Sequence, residues 1–152
     1  MTYQITGLNP VEMFHDKNES EISVVRVTAT SKPGFPCRVS LVDAEEGEEL
    51  IVFHHVSHDV SSPYRSAYAI YARTAAVTAA QYTDRVPPVF EGRPLGLRAF
   101  GADVMLKTAG LAMPDEADKT IRHLLELDEV AYIDVHNAAH GCFVARVERF
   151  ER

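Results

Sequence analysis

The 152-residue sequence contains no tryptophan and only two cysteines, Cys37 and Cys142. A single pair of cysteines so far apart in sequence does not form the disulfide framework of a small secreted domain. The first residues, MTYQITGLNPVEMF, also lack the basic and continuous apolar regions of a secretory signal. We therefore expect a cytoplasmic protein in which both thiols are reduced.

Basic residues are in the minority, with 15 Lys and Arg against 22 Asp and Glu, so the formal net charge is −7 with histidine neutral. A negative surface repels the phosphate backbone of nucleic acids and the head groups of anionic lipids. The sequence also has no apolar run of the roughly 18 residues that a membrane span requires. We therefore expect neither nucleic acid nor a membrane as a partner.

Several common functional motifs are missing. The sequence contains no GxGxxG or GxxxxGK[ST] loop for phosphates, no GxSxG nucleophile elbow, and no HExxH or CxxC metal pattern. The residues therefore identify no cofactor, which stays unknown at this point, and no metal ligand set.

The composition of the chain, with 46% apolar and 24% charged residues, is typical of one globular domain over residues 1–152. Apolar residues at helical spacing predict one clear helix at about residues 114–127, with Pro114 in its first turn. The other apolar segments are short, rich in β-branched residues and separated by Gly and Pro, which predicts strands. With only one good helix to serve as a crossover, the sequence predicts an α+β fold with a mainly antiparallel sheet.

The last segment, Val130–Arg149, predicts a β-hairpin whose turn ends at Gly141, where φ is positive. Alternation of side chains along each strand assigns its residues to two faces. The apolar face, which we expect to enter the core, contains Ala131, Ile133, Val135, Phe143, Ala145 and Val147. The polar face contains Asp134, His136, Cys142 and Arg146. This second face is either a functional site or an ordinary solvated surface with an exposed Asp134–Arg146 pair.

Four segments resemble a family of bacterial proteins catalogued only as domain of unknown function 1203. The segments are FPCRVSLVDAEEGEEL (35–50), SPYRSAYAIYAR (62–73), LRAFGADVM (97–105) and AYIDVHNAAHGCFVARVER (131–149). The resemblance covers most of the chain from residue 35 onward and implies one compact domain. It implies no activity, so no catalytic role is transferred from it.

Cysteine, histidine and arginine in these segments predict a polar pocket formed by the PCR loop, the SPYR loop and the HNAAHGC turn. A thiol beside an imidazole or a cation suits nucleophilic catalysis, which makes Cys37, His136 and Cys142 the candidate catalytic residues. The planar guanidinium group suits carboxylate or phosphate. The candidate ligand-binding residues are Arg38, Tyr64, Arg65, Arg98, His140 and Arg146. The hypothesis is therefore a domain that binds, or acts on, a small carboxylate or phosphate ligand.

Two alternatives remain open at the level of the sequence. The same segments could serve packing and turns in a non-catalytic structural or protein-interaction domain. Histidines at positions 54, 55 and 58, or 136 and 140 with Cys142, could instead hold a metal ion, although their spacing matches no standard pattern. A symmetric homodimer through an exposed sheet edge or face is compatible with either function.

Overall fold

The computed structural model describes residues 1–13 and 24–151, which form nine strands, two α-helices and one turn of 3-10 helix. The strands are β1 (Tyr3–Thr6), β2 (Val24–Thr28), β3 (Glu49–His58), β4 (Ser66–Arg73), β5 (Gln81–Thr83), β6 (Leu95–Phe100), β7 (Leu106–Ala112), β8 (Tyr132–Asn137) and β9 (Phe143–Arg149). The helices are α1 (Pro10–Met13), the 3-10 turn (Pro88–Phe90) and α2 (Ala117–Leu125).

Six strands form the larger sheet, in the order β5-β1-β9-β8-β6-β7, and every neighbouring pair is antiparallel. Helix α2 covers one face of this sheet. Its buried residues Ile121, Leu124 and Leu125 join Ile133 and Val135 of β8 in the main hydrophobic core. The predicted α+β fold with a mainly antiparallel sheet, one clear C-terminal helix and a terminal hairpin is confirmed.

The smaller sheet has the order β2-β3-β4 and lies over the opposite face of the larger one. Tyr68 of β4 and His136 of β8 have ring centroids 5.1 Å apart, and His55 and Phe143 have theirs 6.2 Å apart. The polar face of the terminal hairpin is therefore enclosed between two sheets. The alternative in which it is a solvated surface is wrong.

A β-bulge in the hairpin changes the predicted assignment of Phe143. The register of β8 and β9 shifts between Val135 and His136, so that His136 is paired with Phe143 and Val144 becomes an extra residue in β9. The extra residue reverses the alternation before it. Phe143 consequently lies on the same face as His136, whereas Ala145 and Val147 enter the main core as predicted.

Helix α2 starts later than its sequence indicates, at Ala117 rather than Pro114. Asp115 has a φ of 71°, in the left-handed region, so Pro114 and Asp115 form a turn before the helix. The carboxylate of Glu116 accepts the Met113 N–H at 2.9 Å within that turn. In the described part of the chain, no helix is long and apolar enough to cross a membrane.

Candidate functional site

A cavity of about 590 Å³ opens beside β4, between the loop at residues 34–38 and the hairpin turn at residues 137–142. Volumes of this size accommodate small organic ligands. The polar side chains that line it are Arg38, Tyr68, Tyr71, Arg93, Asn137, His140 and Cys142. The predicted convergence of the PCR loop with the HNAAHGC turn is therefore seen in the structure.

Arg38 is the most unusual side chain of the cavity because it is 1% exposed. Its Nε donates to the Phe143 carbonyl at 2.9 Å, its Nη1 to the Pro36 carbonyl at 2.8 Å, and its Nη2 to the Cys142 sulfur at 3.2 Å. Burial lowers the pKa of the guanidinium, and the adjacent Cys142 opposes that decrease.

In the part of the chain that the structure describes, no carboxylate neutralises Arg38. None of the ion pairs among residues 1–13 and 24–151 includes it. Arg93, the other arginine that lines the cavity, forms a two-pronged pair with Asp43, with Nη1–Oδ2 at 3.0 Å and Nη2–Oδ1 at 2.5 Å. Arg38 is thus the cation of the cavity whose charge has no anionic side chain beside it in the described structure.

The two cysteines have different environments. Cys142 is half-buried at the cavity, where Asn137 Nδ2 approaches its sulfur at 3.6 Å in addition to Arg38. Cys37 is fully buried in the core between the sheets, and its sulfur accepts the backbone N–H groups of Ser40 at 3.4 Å and Arg73 at 3.2 Å. The prediction of Cys37 as a catalytic residue therefore lacks the access to a ligand that such a role requires.

His136 is buried between the sheets and does not line the cavity. Its Nδ1 lies 2.9 Å from the Gly141 carbonyl, and its ring packs edge-on against Tyr68 and Phe143. Because a carbonyl only accepts, Nδ1 carries the proton and donates to it. The predicted catalytic histidine is therefore placed to hold the hairpin turn and Tyr68, with no contact to the cavity.

Burial lowers the pKa of His136, which predicts a pH dependence of stability. The unfolded chain takes up a proton near pH 6.5, whereas the folded protein favours the neutral ring. The stabilisation is complete above about pH 6.5 and is lost as the pH falls from there towards the folded pKa, with a slope of up to about 1.4 kcal/mol per pH unit. Urea unfolding between about pH 5 and pH 8 measures this slope.

The matched variants separate His136 from the other histidines. H136Q should show a shallower decline below pH 6.5 than the wild type. H140Q, which replaces an exposed histidine on the same hairpin turn, is the matched control for the substitution itself. His55, whose pKa is also lowered by burial, contributes equally to all three proteins. Equal slopes in H136Q and the wild type would contradict the prediction.

Arg98 and Arg146 lie on the enclosed face of the larger sheet, away from the cavity lining. Arg146 forms a two-pronged pair with Asp134, with Nε–Oδ1 at 2.7 Å and Nη2–Oδ2 at 3.1 Å, and donates to the Ser57 carbonyl at 3.2 Å. Arg98 donates to the Tyr68 hydroxyl at 2.9 Å. Arg98 therefore acts on the cavity only through Tyr68, and Arg146 bridges the two sheets.

The SPYR loop does not join the cavity, which corrects the three-loop pocket that the sequence predicts. The carbonyl of Tyr64 lies 2.9 Å from His58 Nδ1, and the Tyr64 ring packs against Phe100. Arg65 is an exposed partner of Asp59 at 3.3 Å. This loop follows β3 at the end of the smaller sheet opposite the PCR loop, so β4 separates the two segments.

Four residues with polar side chains that line the cavity are absent from the predicted ligand-binding set: Tyr68, Tyr71, Arg93 and Asn137. Arg93 reaches the cavity through its pair with Asp43, fifty positions away in the chain, a proximity that no local pattern indicates. Asn137 belongs to the HNAAHGC motif, and its Oδ1 is buried without a hydrogen-bond partner in the described structure. The motif could have indicated Asn137, whereas nothing in the sequence indicated Arg93.

Metal binding has no supporting geometry in the described residues. Within the ranges 1–13 and 24–151, no three side chains of His, Cys, Asp or Glu are grouped so that they could hold an ion. His55 and His58 both turn towards the larger sheet, where His55 faces Phe143 and His58 Nε2 lies 2.6 Å from the Tyr132 hydroxyl. These histidines take part in packing and hydrogen bonding.

Comparison with known proteins adds a family. A family model described as Protein of unknown function (DUF1203) matches residues 34–149, well over half of the chain. No curated protein and no solved structure matches the chain significantly. The matched range includes every residue that lines the cavity.

Proposed function

We propose that this chain, which belongs to the DUF1203 family of proteins of unknown function, binds a small anionic ligand in the cavity beside Arg38. The observation that carries the proposal is a guanidinium group that is 1% exposed, lines a cavity of about 590 Å³ and has no carboxylate partner in the described structure. An uncompensated buried charge is costly. A carboxylate or phosphate bound in the cavity would offset that cost.

The remaining charges of the region support an anion. Arg98 lies behind the cavity wall at Tyr68, and the buried carboxylate of the enclosed face, Asp134, is paired with Arg146. The surroundings of the cavity are therefore locally positive in a chain whose net charge is −7. Such a local field attracts anions even when the whole protein repels them.

Cys142 is the side chain of the cavity best placed to meet a reactive ligand. It is half-buried, beside the guanidinium of Arg38 and the amide of Asn137. We retain Cys142 as the candidate nucleophile within this proposal, with Arg38 as the anion-binding group and His140 at the rim. The non-catalytic packing role applies better to the SPYR loop and to His136, whose polar groups bond within the protein.

Thermal unfolding with added anions tests the proposal. Titration with propionate, malonate, citrate and phosphate, against chloride at equal ionic strength, should identify at least one that raises the Tm. At about 100 times the Kd, a ligand stabilises by about 2.7 kcal/mol, or roughly 5–10 °C for a chain of this size. The same anion should slow alkylation of Cys142 by iodoacetamide.

A pair of surface variants controls this experiment. A139E places a carboxylate at the cavity rim and should reduce the Tm shift, whereas A75E adds the same charge at an exposed position outside the cavity and should not. If none of the anions shifts the Tm, or if the two variants respond equally, the proposed function is wrong.

A further inference from the structure

The outer edge of β4 forms part of the cavity wall. β4 is the last strand of the smaller sheet, so the N–H and C=O groups of alternate residues point away from β3. Two hydrogen bonds identify which residues these are. The Tyr71 carbonyl accepts the Arg38 N–H at 3.0 Å, and the Arg73 N–H donates to the Cys37 sulfur at 3.2 Å. Odd-numbered residues of β4 therefore present their backbone groups outward.

The PCR loop covers only one half of this edge. It bonds to β4 at Tyr71 and Arg73 and leaves Ala69, two residues earlier, exposed in the wall of the cavity. Within the described ranges, the outward N–H and C=O of Ala69 make no hydrogen bond. An open strand edge of this kind is a template for another extended chain. The uncovered edge and the unneutralised Arg38 thus belong to the same cavity.

We propose that the ligand of the cavity is a peptide carboxylate: an extended peptide end whose backbone pairs with β4 at Ala69 and whose carboxylate lies towards Arg38. This inference rests on the proposed function and names its ligand class. Strand addition supplies main-chain hydrogen bonds, and the charge of Arg38 is complementary to the terminal carboxylate. Val52, Tyr71, Pro36 and Pro94 provide the apolar walls for side chains.

The distribution of cations favours a carboxylate over a phosphorylated ligand. Arg93 is neutralised by Asp43, so among the described residues the cavity offers one uncompensated guanidinium, that of Arg38. One guanidinium balances the single charge of a carboxylate, whereas a phosphate monoester carries up to two charges at neutral pH. The outward N–H and C=O of Ala69 can form hydrogen bonds with the amide groups of a peptide, which simple carboxylates lack.

Isothermal titration calorimetry with small peptides tests this inference. The probes are N-acetyl-alanyl-alanine as the free acid, its C-terminal amide, the acid N-methylated at both amides, and propionate. We expect the free acid to bind at least tenfold more tightly than each of the other three. The amide lacks the charge for Arg38, the methylated acid lacks the N–H groups for pairing, and propionate lacks the backbone.

Two proline substitutions on the same edge provide a matched comparison. Proline at an edge position removes an outward N–H without breaking the ladder to β3. A69P should weaken the free acid at least tenfold and leave propionate unchanged. A67P alters the next outward residue of β4, which does not line the cavity, and should change neither affinity. Equal thermal unfolding of the two variants would show that both fold.

The outcomes separate this inference from the function on which it rests. If propionate binds as tightly as the free acid, or if A69P behaves like A67P, peptide pairing is wrong and anion binding stands. If the free acid and its C-terminal amide bind equally, the contact with Arg38 is wrong. If neither the four probes nor phosphate binds, both proposals are wrong.

Discussion

Replacing Arg38 by alanine is expected to lower the free energy of unfolding by about 2–5 kcal/mol. The guanidinium donates hydrogen bonds to the carbonyls of Pro36 and Phe143 and so links the PCR loop to β9. Each buried acceptor left without a donor costs about 1–3 kcal/mol. Removal of the buried charge offsets part of this cost, which is why the expected range is wide.

Urea denaturation of three variants measures the effect of Arg38. R38A removes both the side-chain volume and the hydrogen-bond donors, whereas R38M removes the donors and keeps most of the volume. The difference in stability between the two variants therefore measures the contribution of packing. R65A is the matched control, since Arg65 is exposed, and it should change stability by less than about 0.5 kcal/mol. A loss below about 1 kcal/mol in both Arg38 variants would show that the guanidinium does not join the two segments.

The second large loss of stability is expected on substitution of Asp134, which is 1% exposed and lies between two arginines of the enclosed face. Its pair with Arg146 crosses from β8 to β9, and Arg98 is its register partner on β6. D134N preserves the shape but leaves the arginines without an anion. Removal of one partner of a buried ion pair costs about 3–5 kcal/mol, and the loss for D134N should lie towards the lower end because the Arg146 side chain is 33% exposed.

A double-mutant cycle isolates the coupling between Asp134 and Arg146. R146M alone leaves a buried carboxylate unpaired, so D134N and R146M together should cost less than the sum of the single variants. We expect a coupling of about 1–3 kcal/mol. The exposed pair of Arg65 and Asp59, studied as D59N and R65M, should give a coupling below about 1 kcal/mol. Equal coupling in the two cycles would contradict the enclosed position of the first pair.

The fold follows largely from local pattern. The periodic spacing around Ile121 and Leu124 and the turn at Gly141, whose φ is 79°, are signals that each segment carries by itself. The β-bulge at Val144 carries no such signal, because one extra residue in a strand of apolar residues leaves the composition unchanged. The predicted orientations of Phe143 and Val144 therefore failed, whereas Ala145 and Val147 were placed correctly.

The candidate site was predictable only in part, for a related reason. Arg38 and Cys142 were selected by residue type, and the structure brings their side chains to 3.2 Å. What the sequence could not indicate is the smaller sheet that covers the polar face of the hairpin. Because this sheet encloses them, Asp134 and Arg146 form a structural pair and Arg98 bonds to Tyr68. Which sheet packs on which depends on contacts between distant parts of the chain, and no local pattern indicates it.

The position of β1 has a consequence for how the protein is made. β1 lies inside the larger sheet, between β5 and β9, and Tyr3 is paired with Arg149. During synthesis the smaller sheet can assemble as soon as β4 has left the ribosome, but β1 must wait for the last strand of its sheet. Nascent chains stalled before β9 should therefore expose one unpaired side of β1 to chaperones.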